Sequence, residues 1–168
     1  MNKRYPLATL LRLREHRTET ARLYVLECQR VVAACREACT AIEGEIRNLQ
    51  ATRNDQRRRL LDPPPPGVAW PIALEQREAH IELLANHIVR AQQRLAQAQQ
   101  KLREAEQVLA DARTAFFRAK ARQEALEKRR DSWRGEQRAL EARVEEAVAE
   151  DLLASARHLQ LSEGGDHR

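Results

Sequence analysis

Leu61-Asp62-Pro63-Pro64-Pro65-Pro66-Gly67-Val68-Ala69-Trp70-Pro71 is the one interruption in a chain that otherwise reads as helix. The stretch holds five of the six prolines. Proline has no backbone donor and its ring clashes with the preceding turn, so a run of four stops a helix outright. Asp62, standing before a proline, is pushed out of the α region as well. Two helices joined by one stiff break are the expected architecture.

Composition agrees. Charged residues make up 33% of the 168 positions and aromatics only 4%, with two each of Phe, Trp and Tyr. So few large side chains cannot fill a thick core, and the balance is that of long helices or a coiled coil. No stretch is apolar enough for a membrane span, and Met1 to Tyr5 does not lead into a signal-peptide core. The three cysteines, Cys28, Cys35 and Cys39, are an odd number on one helix. They form no disulfide framework, which fits a reducing compartment and a cytoplasmic address.

The first helix is expected over about 6–61, with Pro6 suited to its first turn. Alternating steps of four and three from Leu7 pass Leu11, Arg14, Thr18, Ala21, Val25, Cys28, Val32, Cys35, Cys39, Ile42, Ile46, Leu49, Arg53, Gln56 and Leu60. Twelve of these sixteen positions are apolar, a heptad seam rather than the face of a globular surface helix. All three cysteines lie on it. Cys35 and Cys39 are one turn apart, but two thiolates without a neighbouring His do not complete a tetrahedral metal site. They read as small packing residues that let a partner helix approach.

The second helix is expected over about 72–160, with a disordered tail over 162–168. The same stepping from Ile81 reaches Asp151 with seventeen of twenty-one positions apolar. Between Ile88 and Ala119 large and small residues alternate strictly, which suits close packing of two antiparallel helices. The expected fold is therefore all-α: a single long two-helix antiparallel coiled-coil hairpin over 1–168, its C-terminal helix extending beyond the paired region. Folding at the proline turn is expected to set Leu60 near Ile72, Ile42 near Val89–Arg90 and Leu7 near Ala125. Past about Lys128 the second helix then has no partner in its own chain. Its apolar positions nevertheless continue through Trp133, Leu140, Val144, Ala147, Val148, Leu152 and Leu153.

The net charge is +5. Residues 1–22 carry six Lys/Arg against two acids and residues 113–134 eight against three, while 141–151 carry five acids against Arg143. The hairpin brings the two basic segments together, and like charges so gathered call for a partner. Candidate partner-binding residues are Arg12, Arg14, Arg17, Arg118, Arg122, Arg129, Arg130, Trp133, Leu140 and Val144, Trp and Arg being typical anchors. The bland alternative is a solvated face of three- and four-residue ion pairs with Glu15, Glu19, Glu124, Glu127 and Asp131. The five histidines are scattered, there is no Gly-rich phosphate loop, and a two-helix chain offers no pocket to exclude water. Neither enzyme, cofactor nor metal chemistry is expected.

The opening Tyr5-Pro6-Leu7-Ala8-Thr9-Leu10-Leu11-Arg12-Leu13-Arg14-Glu15-His16-Arg17, together with the hairpin and protruding C-terminal helix, resembles the central stalk proteins of type III secretion and flagellar export, the YscO/FliJ family. The resemblance implies a non-enzymatic cytoplasmic protein at the cytoplasmic face of a secretion apparatus, peripheral to the membrane through its partners only. It implies a place in the pore of a hexameric export ATPase, similar to that of the γ subunit of rotary ATPases, with contacts to an export gate protein and secretion chaperones. Two other readings stay open. One is a generic coiled-coil scaffold or adaptor dimerising through its overhang. The other is an RNA-binding helical hairpin, although no nucleic acid is expected as a partner.

Overall fold

The structure is a computed structural model that describes residues 4–163, with side chains to residue 159. Two α-helices account for it: α1, Ala8–Arg58, and α2, Trp70–Glu163. The all-α two-helix expectation is borne out. The part of the expected tail beyond Glu163 lies outside the described residues.

Both helix ends at the break follow from proline chemistry. After Arg58 the α pattern tightens into i→i+3 bonds, Leu60 N to Arg57 O at 3.3 Å and Asp62 N to Arg59 O at 3.1 Å. Pro63 cannot donate to continue the ladder, so the last carbonyls of α1 lose their intrahelical donors. Pro65-Pro66-Gly67-Val68 then closes a turn, Val68 N–H donating to Pro65 O at 3.2 Å. Gly67 takes φ 84°, the positive value that position i+2 of a type II turn requires, with proline before it at i+1. Helix α2 starts at Trp70, and Ala73 N–H reaches back to Ala69 O at 3.0 Å. Pro71 sits in the first turn, where its missing donor costs nothing.

The chain divides into two compact units, one comprising Ala21–Phe116 and the other Met1–Thr20 with Phe117–Arg168. In the first, α1 and α2 run antiparallel from the proline turn. Cys28, Val32, Cys39 and Ile46 of α1 are buried, as are Ala73, Leu84, Ile88, Ala91, Leu109 and Ala112 of α2. Cys28, Val32, Leu109 and Ala112 form one cluster, with Val25, Leu102 and Ala105 packed against it. Ala91 is the most enclosed of the buried residues at 0% exposure. Small seam residues thus mark the closest approach of the helices, and their large neighbours fill the space beside them. Thr40 and Thr52 stay compatible with helix because each hydroxyl donates to the carbonyl four residues back, at 3.0 and 2.9 Å.

Two ion pairs flank this seam. Arg36 Nη2 lies 2.9 Å from Glu106 Oε1, and Arg94 Nη2 lies 2.6 Å from Glu45 Oε1. The hydrogen bond from Arg94 holds the Glu45 carboxyl below its ordinary range, and the same bond holds the Arg94 guanidinium above its own. Both pairs are exposed, so they help set register more than they stabilise.

These pairs also correct the expected register. An alignment that sets Ile42 near Val89–Arg90 would put Glu45 level with His87, but its carboxylate meets Arg94. The partner is about one heptad further along α2. The reason lies in the turn. The proline stretch runs beside the first turns of α2 before joining it, so the residues just after α1, from Leu60, meet Arg77 rather than Ile72. Arg77 marks that junction: its Nη1 donates to Leu60 O at 2.9 Å and to Asp62 O at 2.6 Å, and its Nη2 lies 3.5 Å from Pro63 O. One guanidinium caps the carbonyls that the proline run strands.

Candidate partner-binding surface

The second unit has a thinner core. Among its described residues Leu11 is the one buried apolar side chain, at 5% exposure. Its seam positions Arg14, Thr18, Gln123 and Arg130 are polar and half-buried. Thr18 spends its hydroxyl on Arg14 O at 3.0 Å, and Gln123 Nε2 donates to Glu127 Oε1 at 2.9 Å. Polar seam groups satisfied along their own helix add little adhesion between helices. This unit therefore depends on what lies at its margins.

Tyr5 and Trp133 form the margin. Their rings stand 5.5 Å apart between centroids at 54°, a tilted aromatic pair. Trp133 was expected in a stretch with no intrachain partner, beginning at Lys128, and that expectation is corrected. Tyr5 meets Trp133 within this unit, so pairing reaches Trp133. Around the pair lies an open cleft of about 480 Å³, lined by Arg4, Tyr5, Trp133, Arg134, Gln137, Arg138 and Glu141. Three guanidiniums face one carboxylate there.

The predicted residues fall into three groups. Arg12, Arg17, Arg118, Arg122 and Arg129 are exposed. Arg14, Arg130 and Trp133 are half-buried, and Arg130 Nε lies 3.3 Å from Asp131 Oδ1. Leu140 and Val144 are 49% and 64% exposed. Val148, Leu152 and Leu153 beyond them are exposed as well. The seam predicted through Asp151 thus stops being covered after Gln137, which is half-buried. Some of the basic charge is engaged locally, Lys120 Nζ lying 4.0 Å from Glu124 Oε1. Sequence reasoning missed Arg4, Arg134 and Arg138 as cleft residues because they depend on the register. It missed Arg77 because nothing in a heptad pattern marks a cap across a turn.

Other chemistry is sparse. Cys28 and Cys39 are buried, Cys35 is half-buried, and all three are free thiols. The Cys28 thiol beside Tyr24 raises that phenol above its ordinary value through their hydrogen bond. Among the described residues no group of three or more His, Cys, Asp or Glu is placed to hold a metal ion. Among them, too, no helix is long and apolar enough to cross a membrane.

Residues 2–162 match the family described as YscO-like protein. The chain belongs to the YscO-like family. No curated protein matches it. Among solved structures it is similar to CT670 from Chlamydia trachomatis, assigned as a YscO homolog, with 21% identity, 98% of this chain and 99% of that chain covered, and a TM-score of 0.74. At that identity the likeness speaks to the fold. Family membership supports a stalk-like protein of type III secretion, structural rather than enzymatic, with protein partners in a secretion system.

Proposed function

We propose that the protein is the central stalk of a type III secretion export apparatus, inserting into the hexameric export ATPase and linking it to the export gate protein and to secretion chaperones. The supporting observation is the second helix after Gln137. It keeps its helical course to Glu163 while presenting Leu140, Val144, Val148 and Leu152 to solvent. A single helix in water gains little from an apolar stripe, so the stripe is best explained by burial in a partner. A ring of subunits can grip such a helix from several sides at once.

In this reading Leu140, Val144 and Trp133 supply apolar anchors. Arg12, Arg14, Arg17, Arg118, Arg122, Arg129 and Arg130 steer and orient acidic surfaces of the ring, as charge at an interface rim does. The site of action is the cytoplasmic face of the apparatus, reached through partners rather than through the lipid. No cofactor and no nucleic acid are required.

The test is a pull-down with the cognate export ATPase, paired with its ATP hydrolysis rate with and without this protein. Binding and a changed rate are expected, both reduced by Leu140→Asp combined with Val144→Asp. Those positions are exposed and lie outside the helix pairing, so folding should survive the changes. No binding and no change in rate would overturn the stalk reading.

A further inference from the structure

The cleft at Tyr5 and Trp133 and the exposed stripe after it lie side by side on one helix, and their charges are ordered. Along one edge of the stripe run Arg134, Arg138, Glu141 and Glu145, at steps of four, three and four residues. The three arginines of the cleft, Arg4, Arg134 and Arg138, stand at its basic end. Residues 141–151, with five acids against Arg143, form the opposite end. The two ends cannot meet within one continuous helix.

A second copy laid antiparallel brings them together. An edge that reads basic, basic, acidic, acidic is its own complement when reversed. A twofold axis near Leu140 sets Arg134 beside Glu145 and Arg138 beside Glu141, and symmetry repeats both pairings. The same arrangement lays Val144 and Val148 of each copy towards the Tyr5–Trp133 cleft of the other. It also places the two Leu140 side chains close to the axis. Interfaces of this kind are isologous, one patch serving as both halves. A foreign helix would need the reversed charge order, whereas every copy of this chain already carries it.

We infer that the protein self-associates through this surface, as an antiparallel dimer of the α2 segments around Leu140. The dimer covers Leu140, Val144 and Trp133, the same residues that the stalk reading gives to the ATPase. Self-association would therefore compete with entry into the ring and hold the stripe out of water until the ring is present.

Sedimentation equilibrium of the full chain tests this without any ATPase, so its outcome is separate from that of the stalk reading. The expected mass rises with concentration from one chain towards two. Association should weaken between about 0.1 M and about 1 M salt, over which the Debye length falls from about 10 Å to about 3 Å. Arg134→Glu with Arg138→Glu should weaken it about tenfold or more, and so should Glu141→Arg with Glu145→Arg. Mixing the two double variants should restore association as a heterodimer. Arg134 and Arg138 flank Gln137, the last covered seam residue, Glu141 and Glu145 lie beyond it, and circular dichroism checks that each variant keeps its helices. A wild-type mass of one chain at every concentration overturns the inference. So does a dimer indifferent to both charge reversals, or a mixture that stays monomeric.

Discussion

Arg77→Ala should loosen the turn more than any other single exposed or half-exposed change in Ala21–Phe116. The side chain makes two short hydrogen bonds to neutral carbonyls, at 2.9 Å to Leu60 O and 2.6 Å to Asp62 O, with Pro63 O at the limit of reach. A hydrogen bond from a charged donor is worth roughly 1.5–3 kcal/mol net, towards the low end where water can replace the donor. Asp62 is exposed and its carbonyl can be rehydrated, while Leu60 is half-buried and its carbonyl less easily. The loss should be about 2 kcal/mol in all. For a chain of this size that lowers Tm by roughly 4–8 °C, at about 2–4 °C per kcal/mol. Alanine is the better helix former, so helix propensity works against the drop and cannot produce it.

Thermal unfolding followed by circular dichroism is the assay, with Arg77→Lys and Arg77→Met as companions. Lysine keeps the charge but not the fork that spans two carbonyls, so it should recover about half of the loss. Methionine keeps the apolar stem only and should behave like alanine. Because the acceptors are neutral, the effect should survive high salt, whereas a surface ion pair would be screened. A Tm for Arg77→Ala within about 1 °C of wild type would refute the capping argument, since by the same scale the loss would then be too small for two functional hydrogen bonds.

Two further changes probe the seam. Ala91→Leu adds three carbons where exposure is 0%, and overpacking of this kind costs about 1–3 kcal/mol; the same change at exposed Ala96 should leave Tm within error of wild type. The Glu45–Arg94 pair predicts a pH dependence: the folded carboxyl titrates below its unfolded value, so its contribution is present above the unfolded pKa and is lost as pH falls through the folded one. In urea unfolding, Glu45→Gln should accordingly shrink the difference in midpoint between neutral and acid pH, and an unchanged difference would remove the pair from the account.

The two helices, their seam and the position of the break were legible because each rests on local chemistry. Proline stops helices whatever surrounds it, and a heptad pattern records which face is buried. Every position stepped off from Leu11 to Leu60, and from Ile81 to Gln137, is buried or half-buried. The pairing of one helix with the other was less legible. A seventh-residue repeat looks the same after a shift of one heptad, so apolar periodicity cannot choose between Ala125 and a position a heptad later as the neighbour of the N-terminal end. The choice was made by the path of Asp62–Ala69 and the reach of Arg77, both of which depend on backbone geometry that the periodicity does not encode. The cleft residues Arg4, Arg134 and Arg138 stayed hidden for the same reason.

That one-heptad difference moves the functional boundary. With pairing carried to Trp133, the indole is held by Tyr5 and becomes a fixed wall of the cleft rather than a loose anchor in open helix. A side chain already immobilised loses less rotamer freedom when a partner arrives, so it is better suited to contribute binding energy. Leu140 and Val144, by contrast, are 49% and 64% exposed among the described residues, and another chain could supply their burial. Among the described residues, the unit that bears them has Leu11 as its buried apolar residue, against ten in Ala21–Phe116. Local opening should therefore be easiest there, and amide protection should be lower around Tyr5 and Trp133 than in the Cys28–Leu109 cluster. A chain built this way keeps its register where Arg77 and the alanine seam enforce it. It leaves its adhesive surface in the unit where its own packing is thinnest, open to whichever partner can cover it.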